Sequence, residues 1–430
     1  MKIKTKPMAY RDVMALPRAA HCPPRKPSPI LRGLVRLLAA SDLRQTHFSY
    51  TTRRMDEAGK GPWLILMNHS SFIDLEMMSE IFAKHPYCIV CTSDGFVGKP
   101  WLMRRLGCIP TRKFVSDVAL IRDIRYALDT LHTNVLMYPE ASYSFDGCAT
   151  PLPRRLGALL KRLDVPVVGV RTYGAFARDP LYNCLQKRQV DVRAEVSCLL
   201  TRDEIREKEV AELDAVLDEA FTFDHFAWQQ ENRVAITEPF RADGLERILY
   251  RCPHCGREGQ TVGRGITLRC TACGAAYELD EYGHLVSEAP AFTHVPDWYA
   301  WERAEVRRAL ESGEYRFEAA VTIGMMVDYK AIYMVGEGTL VHDTEGFHLT
   351  GCDGELRYDQ AALASYSVYS DYFWYEIGDV ICIGNHDCLY YCFPQGGEPV
   401  AKVRLAAEEL YRLKKAALTA PSEATSAASL

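Results

Sequence analysis

The chain contains no stretch approaching the ~20 consecutive apolar residues that a bilayer-spanning helix needs. It opens without the apolar core and cleavage site of a secretory signal. The expectation is therefore a cytoplasmic protein. A disulfide framework is missing too. Fifteen cysteines, an odd number at irregular intervals, fit a reducing compartment better than a set of bridges. Most of them, Cys108, Cys148, Cys184 and Cys198 among them, read as small buried residues. The "CIVC" stretch at Cys88 and Cys91 has redox-motif spacing but lies in a strand-like run. Positions three apart on a strand point to opposite faces, so the bland reading wins there. Net positive charge is concentrated at one end. Residues 1–50 carry ten Lys/Arg against Asp12 and Asp42, so with a net charge of -5 for the whole chain the remainder sits at -13. A basic arm on an acidic body suits an anionic surface, either lipid headgroups or nucleic acid.

Hydrophobic residues make up 48% of the chain and charged residues 25%, which is the composition of a folded protein. At 430 residues it is too long for one typical core, so two or three domains are expected. After the proline-rich "PRAAHCPPRKPSP" comes "ILRGLVRLLAASDLR", in which Leu31, Leu34, Val35, Leu37 and Leu38 can share a helical face. Such a basic amphipathic helix can lie in a membrane interface or pack on the next domain. From about residue 60, short apolar runs ("WLILM", "YCIVCT", "NVLMYP", "VPVVGV") alternate with helical patterns. Ser116 is placed to cap the helix "SDVALIRDIRYALDTL". This alternation predicts an α/β layered domain with active residues at strand ends. Residues 202–235 read as a long acidic helical region. Residues 290–418 read as β-hairpins around "DTEG" and "GNHD", closed by a helix on which Ala406, Leu410, Leu413 and Ala417 share a face. That region resembles a pleckstrin-homology-like or GRAM-like module. The tail "TAPSEATSAASL" (419–430) is small and polar, and reads as disordered. The expected organisation is a basic arm and helix (1–45), an α/β domain (46–240), a small cysteine module (245–285), a β-rich domain (290–418) and the tail.

Four blocks follow one another in the α/β region: "NHSSFID" (68–74), "GCIPTRK" (107–113), "MYPEASYS" (137–144) and "VPVVGV" (165–170). In this order and spacing they resemble the glycerolipid acyltransferase family, in particular the 1-acylglycerol-3-phosphate (lysophosphatidate) acyltransferases, over about residues 45–230. The resemblance implies acyl transfer from a thioester, carried by acyl-CoA or an acyl carrier protein, to the hydroxyl of a lysophospholipid acceptor. It implies His69 as base and Asp74 as the group that holds its imidazole. Asn68 would orient the loop or meet developing charge, and Gly107 would turn the chain to present Arg112 and Lys113 to the acceptor phosphate. Glu140 would order the site or contact the acceptor's polar head, and Ser142 would belong to the same substrate-binding segment. The sequence departs from the family in two places. Counted from Gly107, the position usually held by arginine is Lys113, with Arg112 one residue earlier. The third block reads Ala141-Ser142-Tyr143 where Gly, Thr and Arg are usual. The implied reaction is lysophosphatidate to phosphatidate in phospholipid biosynthesis. Glycerol-3-phosphate or another lysophospholipid is the alternative acceptor, and an inactive lipid-binding scaffold is the alternative of another class. The enzyme would work peripherally on the cytoplasmic face of a membrane. "GNHD" (384–387) repeats the Asn-His pair, but Tyr391 stands where an aspartate would be needed, so His386 reads as an ordinary turn residue.

Cys252-x-x-Cys255 and Cys270-x-x-Cys273, each followed by glycine, have the spacing of a four-thiolate zinc ribbon. A closed four-cysteine shell is structural, and His254 is expected to lie outside it. Residues 245–285 hold five arginines and five acidic residues. They lack the basic stripe of a nucleic-acid surface, so no nucleic-acid partner is expected.

Overall fold

The computed structural model describes residues 2–115, 117–153 and 155–419. In chain order the strands of its first half are β1 (Thr5–Pro7), β2 (Ser49–Arg53), β3 (Leu64–Met67), β4 (Tyr87–Thr92), β5 (Cys108–Thr111), β6 (Asn134–Met137), β7 (Val167–Tyr173) and β8 (Arg193–Leu200). Strands β2 to β8 form one sheet in the order β2-β8-β7-β3-β6-β4-β5. The five strands from β7 to β5 run parallel, and β8 turns antiparallel on β7. All four residues of β3 are buried, as its unbroken apolar run requires when both faces of a sheet are covered. One face packs on helices Val118–Arg125, Leu156–Leu163 and Val210–Phe221. The other packs on helices Pro29–Gln45 and Ile73–Ile81. The long acidic region divides into three helices, Arg202–Glu207, Val210–Phe221 and His225–Glu231.

Ser116 lies outside the described residues. The helix beginning at Val118 is capped by Asp117, whose carboxylate accepts the N–H groups of Ala119 and Leu120 at 2.8 and 3.3 Å. The serine-rich tail, from residue 420, also lies outside them.

A four-stranded antiparallel ribbon follows, made of β9 (Thr261–Arg264), β10 (Thr267–Cys270), β11 (Ala276–Leu279) and β12 (Leu285–Val286). Helix Val295–Ser312 joins it to a large sheet of β13 (Phe317–Met326), β14 (Ile332–Asp343), β15 (Gly346–Gly351), β16 (Leu356–Ala361), β17 (Tyr369–Trp374), β18 (Gly378–Gly384) and β19 (Leu389–Pro394). The strand order is β16-β15-β14-β13-β19-β18-β17, antiparallel throughout. Helix Val400–Thr419 closes it, with Val400, Ala401, Val403 and every residue from Arg404 to Leu410 buried. A helix apolar on one stripe alone would not be buried all round. This one is clasped between the large sheet and the first half of the chain.

The basic N-terminal arm is not a free leader. β1 adds to the large sheet, pairing in parallel with the start of β14 (Thr5↔Ile332, Pro7↔Met334). The next segment runs back to the first domain, where Pro27 packs against Gly107. A Cβ on Gly107 would come within 3.0 Å of Pro27, and φ there is +85°. The glycine of the second block is required by this close approach as well as by the turn.

Candidate active site

The parallel strands β3, β5, β6 and β7 end on one edge of the sheet, which brings the four sequence blocks together there. Asn68 and His69 follow β3, Arg112 and Lys113 follow β5, Tyr138 to Ser144 follow β6, and Thr172 lies near the end of β7. Asn68 ties two of these strands. Its Oδ1 accepts the Thr172 N–H at 3.0 Å, and its Nδ2 donates to Thr172 Oγ1 at 3.1 Å and Ser70 Oγ at 3.0 Å. The loop after β3 therefore has a fixed origin.

Asp74, fully buried in the first turn of helix Ile73–Ile81, reaches back over this loop. Its Oδ2 accepts the N–H groups of Ser70 (2.8 Å) and Ser71 (3.2 Å) and lies 3.0 Å from His69 Nδ1. A carboxylate at that distance keeps the hydrogen on Nδ1 and leaves Nε2 as the basic nitrogen. The imidazole is 14% exposed and sandwiched between two tyrosine rings, Tyr138 at 4.0 Å and Tyr143 at 4.1 Å between centroids. Burial holds the His69 pKa below the usual histidine value, against the pull of Asp74.

Glu140, 3% exposed, braces the loop from below. One oxygen accepts the His69 N–H (3.3 Å), and the other accepts the N–H and hydroxyl of Thr150 at 2.8 and 3.0 Å. Desolvation pushes its pKa up to about 7, with the Thr150 and His69 hydrogen bonds opposing. Ala141 next to it sits at φ +57°. That left-handed conformation is costly for a residue with a Cβ, so the departure from glycine in the third block carries strain. Ser142 Oγ receives Arg404 Nη1 at 3.3 Å.

Of the two cations after Gly107, Arg112 keeps a buried Nε with no hydrogen-bond partner. The Lys113 ammonium lies 4.1 Å from the Tyr369 ring centroid. Burial lowers its pKa, while Asp371 and Asp94 raise it.

The structure thus gathers Asn68, His69, Asp74, Glu140 and Ser142 around one loop, and places Lys113 under the C-terminal sheet. Other contributors were not singled out from sequence. Tyr138 and Tyr143 stand in plain view at the two ends of "YPEASY", and that symmetric pair was an available signal. Thr150, Thr172 and His225, whose Nε2 is 3.1 Å from Ser70 Oγ, carry no motif. Arg404, Asp371 and Tyr369 come from the far end of the chain.

The four cysteines also converge. Their sulfurs all lie within 4.8 Å of one another, with Cys252–Cys273 at 3.6 Å and Cys255–Cys270 at 3.8 Å. Tetrahedral thiolates at ~2.3 Å from a metal would be about 3.8 Å apart, so the set can hold a metal ion. The two turns are alike. Gly256 and Gly274 have φ of +71° and +81°, and their N–H groups return to the carbonyls of Cys252 and Cys270 at 2.9 Å. His254 is engaged elsewhere, with Nε2 2.7 Å from the Tyr277 hydroxyl.

With this geometry in view, residues 44–172 match the family model described as Acyltransferase. That segment carries the His69–Asp74 pair, and the chain around it is mixed α/β, with a four-cysteine cluster and a β-rich C-terminal region. Among solved structures, a 1-acyl-sn-glycerophosphate (LPA) acyltransferase, PlsC, from Thermotoga maritima is similar at 14% identity and a TM-score of 0.31, over 44% of this chain and 78% of that one. No curated protein matches the chain.

Proposed function

We propose that the protein is an O-acyltransferase that moves an acyl group from an acyl-CoA or acyl carrier protein thioester to a lysophospholipid, with lysophosphatidate as first candidate. The observation that carries this reading is the buried Asp74 carboxylate 3.0 Å from His69 Nδ1, inside the segment that matches the family model. His69 Nε2 takes the proton of the acceptor hydroxyl as its oxygen attacks the thioester carbonyl. The C–S bond then breaks, and the departing thiolate receives the proton back from the imidazolium. Asp74 steadies the imidazolium, and Arg112 and Lys113 meet the acceptor phosphate. The acyltransferase work belongs to residues 46–240, and the other segments support it.

A surface at the N-terminal side supports membrane contact. Helix Pro29–Gln45 presents Ile30, Leu37 and Leu38 outward at 84, 72 and 71% exposure. Two of its three arginines reach the rest of the protein instead. Arg32 donates to the Phe82 and Ala83 carbonyls, and Arg36 pairs with Glu80. An apolar face left outside in this way fits a lipid interface. No helix among the described residues is long and apolar enough to cross a membrane. For the cysteine cluster we propose one structural zinc ion, because four thiolates leave no open position for chemistry.

One observation favours an acceptor without a phosphate monoester. The carboxylates of Asp371 and Asp94 already act on the Lys113 ammonium. Incubating the purified protein with a labelled acyl thioester and, in turn, vesicles containing lysophosphatidate, vesicles containing lysophosphatidylcholine, or dissolved glycerol-3-phosphate separates the readings. Label in phosphatidate supports the first reading, label in phosphatidylcholine supports the acceptor without a phosphate monoester, and label in lysophosphatidate identifies glycerol-3-phosphate as the acceptor. No thioester consumption with any acceptor contradicts the enzyme. Metal analysis of the same preparation is expected to give one zinc per chain.

A further inference from the structure

The two jaws that hold the His69 imidazole have different origins. Tyr138 follows directly on β6, within the acyltransferase sheet. Tyr143 belongs to a loop that is strained at Ala141 (φ +57°) and is gripped from outside. Arg404, on the closing helix Val400–Thr419, is 3% exposed. Its Nη1 donates to the Tyr143 carbonyl at 3.2 Å and to Ser142 Oγ at 3.3 Å. The guanidinium carbon lies 4.4 Å from the centroid of the Phe145 ring, two residues further along the same loop. The guanidinium is itself anchored, with Nε 3.4 Å from Glu408. Glu408 in turn accepts from Ser367 Oγ at 3.0 Å and pairs with Arg303 at 2.7 Å. A chain of polar contacts therefore runs from the C-terminal domain to the main chain of the tyrosine whose ring is stacked on the candidate base.

We infer that Arg404 is a positioning residue of the acyl-transfer site, holding Tyr143 on one face of His69 so that the C-terminal domain sets the orientation of the imidazole and keeps water off it. The inference rests on the reading of His69 as the base, but not on the acceptor's identity. It also gives the β-rich domain a role in the site itself. The planar fork of an arginine suits this task, because it can serve a carbonyl and a hydroxyl at once while stacking on a ring.

The groups facing His69 are Asp74 from its own loop and helix, Glu140, Tyr138 and Tyr143 from the segment after β6, and Lys113 from the segment after β5. Burial is the largest influence, and it disfavours the charged imidazolium. If Tyr143 is released, water returns and Asp74 retains its hold. The imidazole then titrates at higher pH.

The test is a pH titration of the full-length protein labelled with 13C-histidine, followed by NMR, with the His69 signal assigned by its absence in His69→Ala. In Arg404→Ala and Tyr143→Leu the His69 midpoint is expected to rise by ~0.5–1 pH unit, the scale of ordinary environmental shifts. In Arg404→Lys and Tyr143→Phe, which keep the charge and the ring respectively, it is expected to stay nearer the wild-type value. The low-pH limb of kcat/KM should follow, because the base must be neutral to act. Identical His69 titrations in wild type, Arg404→Ala and Tyr143→Leu would overturn the inference. Should Arg404→Ala fail to fold, Arg404→Gln, which removes the charge and the fork, takes its place beside Tyr143→Leu: a raised His69 midpoint in both supports the inference and a wild-type midpoint in both overturns it. The titration needs no substrate. An absence of acyl transfer with a shifted midpoint would therefore count against the function and leave the positioning role standing.

Discussion

The dipeptide Asn-His occurs twice, at 68–69 after β3 and at 385–386 between β18 and β19, and the two copies are put to different uses. In the second, Asn385 serves its own hairpin. Its Oδ1 accepts the N–H groups of Asp387 (2.9 Å) and Cys388 (3.2 Å), and His386 is exposed. In the first, Asn68 reaches across to β7, and His69 is buried between two tyrosines with a carboxylate on Nδ1. A hairpin turn satisfies its polar groups locally and hands the next side chain to solvent. A loop at the end of a buried parallel strand must find partners at long range, and it finds them from β6, β7 and the following helix. Partners, and not the dipeptide, make His69 a candidate base.

Substitutions in both loops sharpen the contrast. The largest effect is expected for Asp74→Asn, which removes the charged partner that His386 lacks. Initial rates of acyl transfer should fall roughly 10²–10⁴-fold, the usual worth of a positioned acid or base. Asp387→Asn should leave them unchanged, and a fully active Asp74→Asn enzyme would remove Asp74 from the mechanism. Next comes stability in urea. Asn68→Ala orphans partly buried groups on Thr172 and should cost about 1–3 kcal/mol, whereas Asn385→Ala should cost less, about 1 kcal/mol.

A third test is a pH dependence. The Glu140 pKa rises from 4.5 to about 7 on folding. Between those values the folded chain holds a proton that the unfolded chain has released. This group's contribution to stability therefore falls as pH rises through that window. Glu140→Gln lacks the titration, so its stability relative to wild type should improve between pH 5 and pH 7.5, by up to roughly 3 kcal/mol. A constant difference across that range would show that Glu140 is ionised throughout.

Much of the first domain was legible because its strands are buried on both faces. "WLILM", "YCIVCT", "NVLMYP" and "VPVVGV" each became a strand of the parallel sheet. The blocks at their ends fall together because parallel strands share a polarity. The edge elements were not legible. β2, "SYTTR", is exposed at every residue, and β1 is three residues long. Such strands are held by backbone pairing, which leaves no hydrophobic pattern to read. The acidic region looked continuous because its breaks are marked only by local caps, Glu209 and Asp224. The exposed face of helix Pro29–Gln45 illustrates another limit. Amphipathicity located a leucine face but could not tell that Arg32 and Arg36 reach the protein while Leu37 and Leu38 stay outside. Arg404 was beyond sequence reasoning altogether, since its partners lie 261 and 262 positions away.

The central claim is that His69 is the base of an acyl-transfer reaction, and one assay tests it most directly. Wild type, His69→Ala and His386→Ala, each shown to be folded, are given a labelled acyl thioester and lysophospholipid vesicles, and the initial rate of labelled product is measured. Wild type and His386→Ala are expected to transfer the acyl group at the same rate, with His69→Ala slower by roughly 10²–10⁴-fold. Transfer by His69→Ala at the wild-type rate would contradict the account.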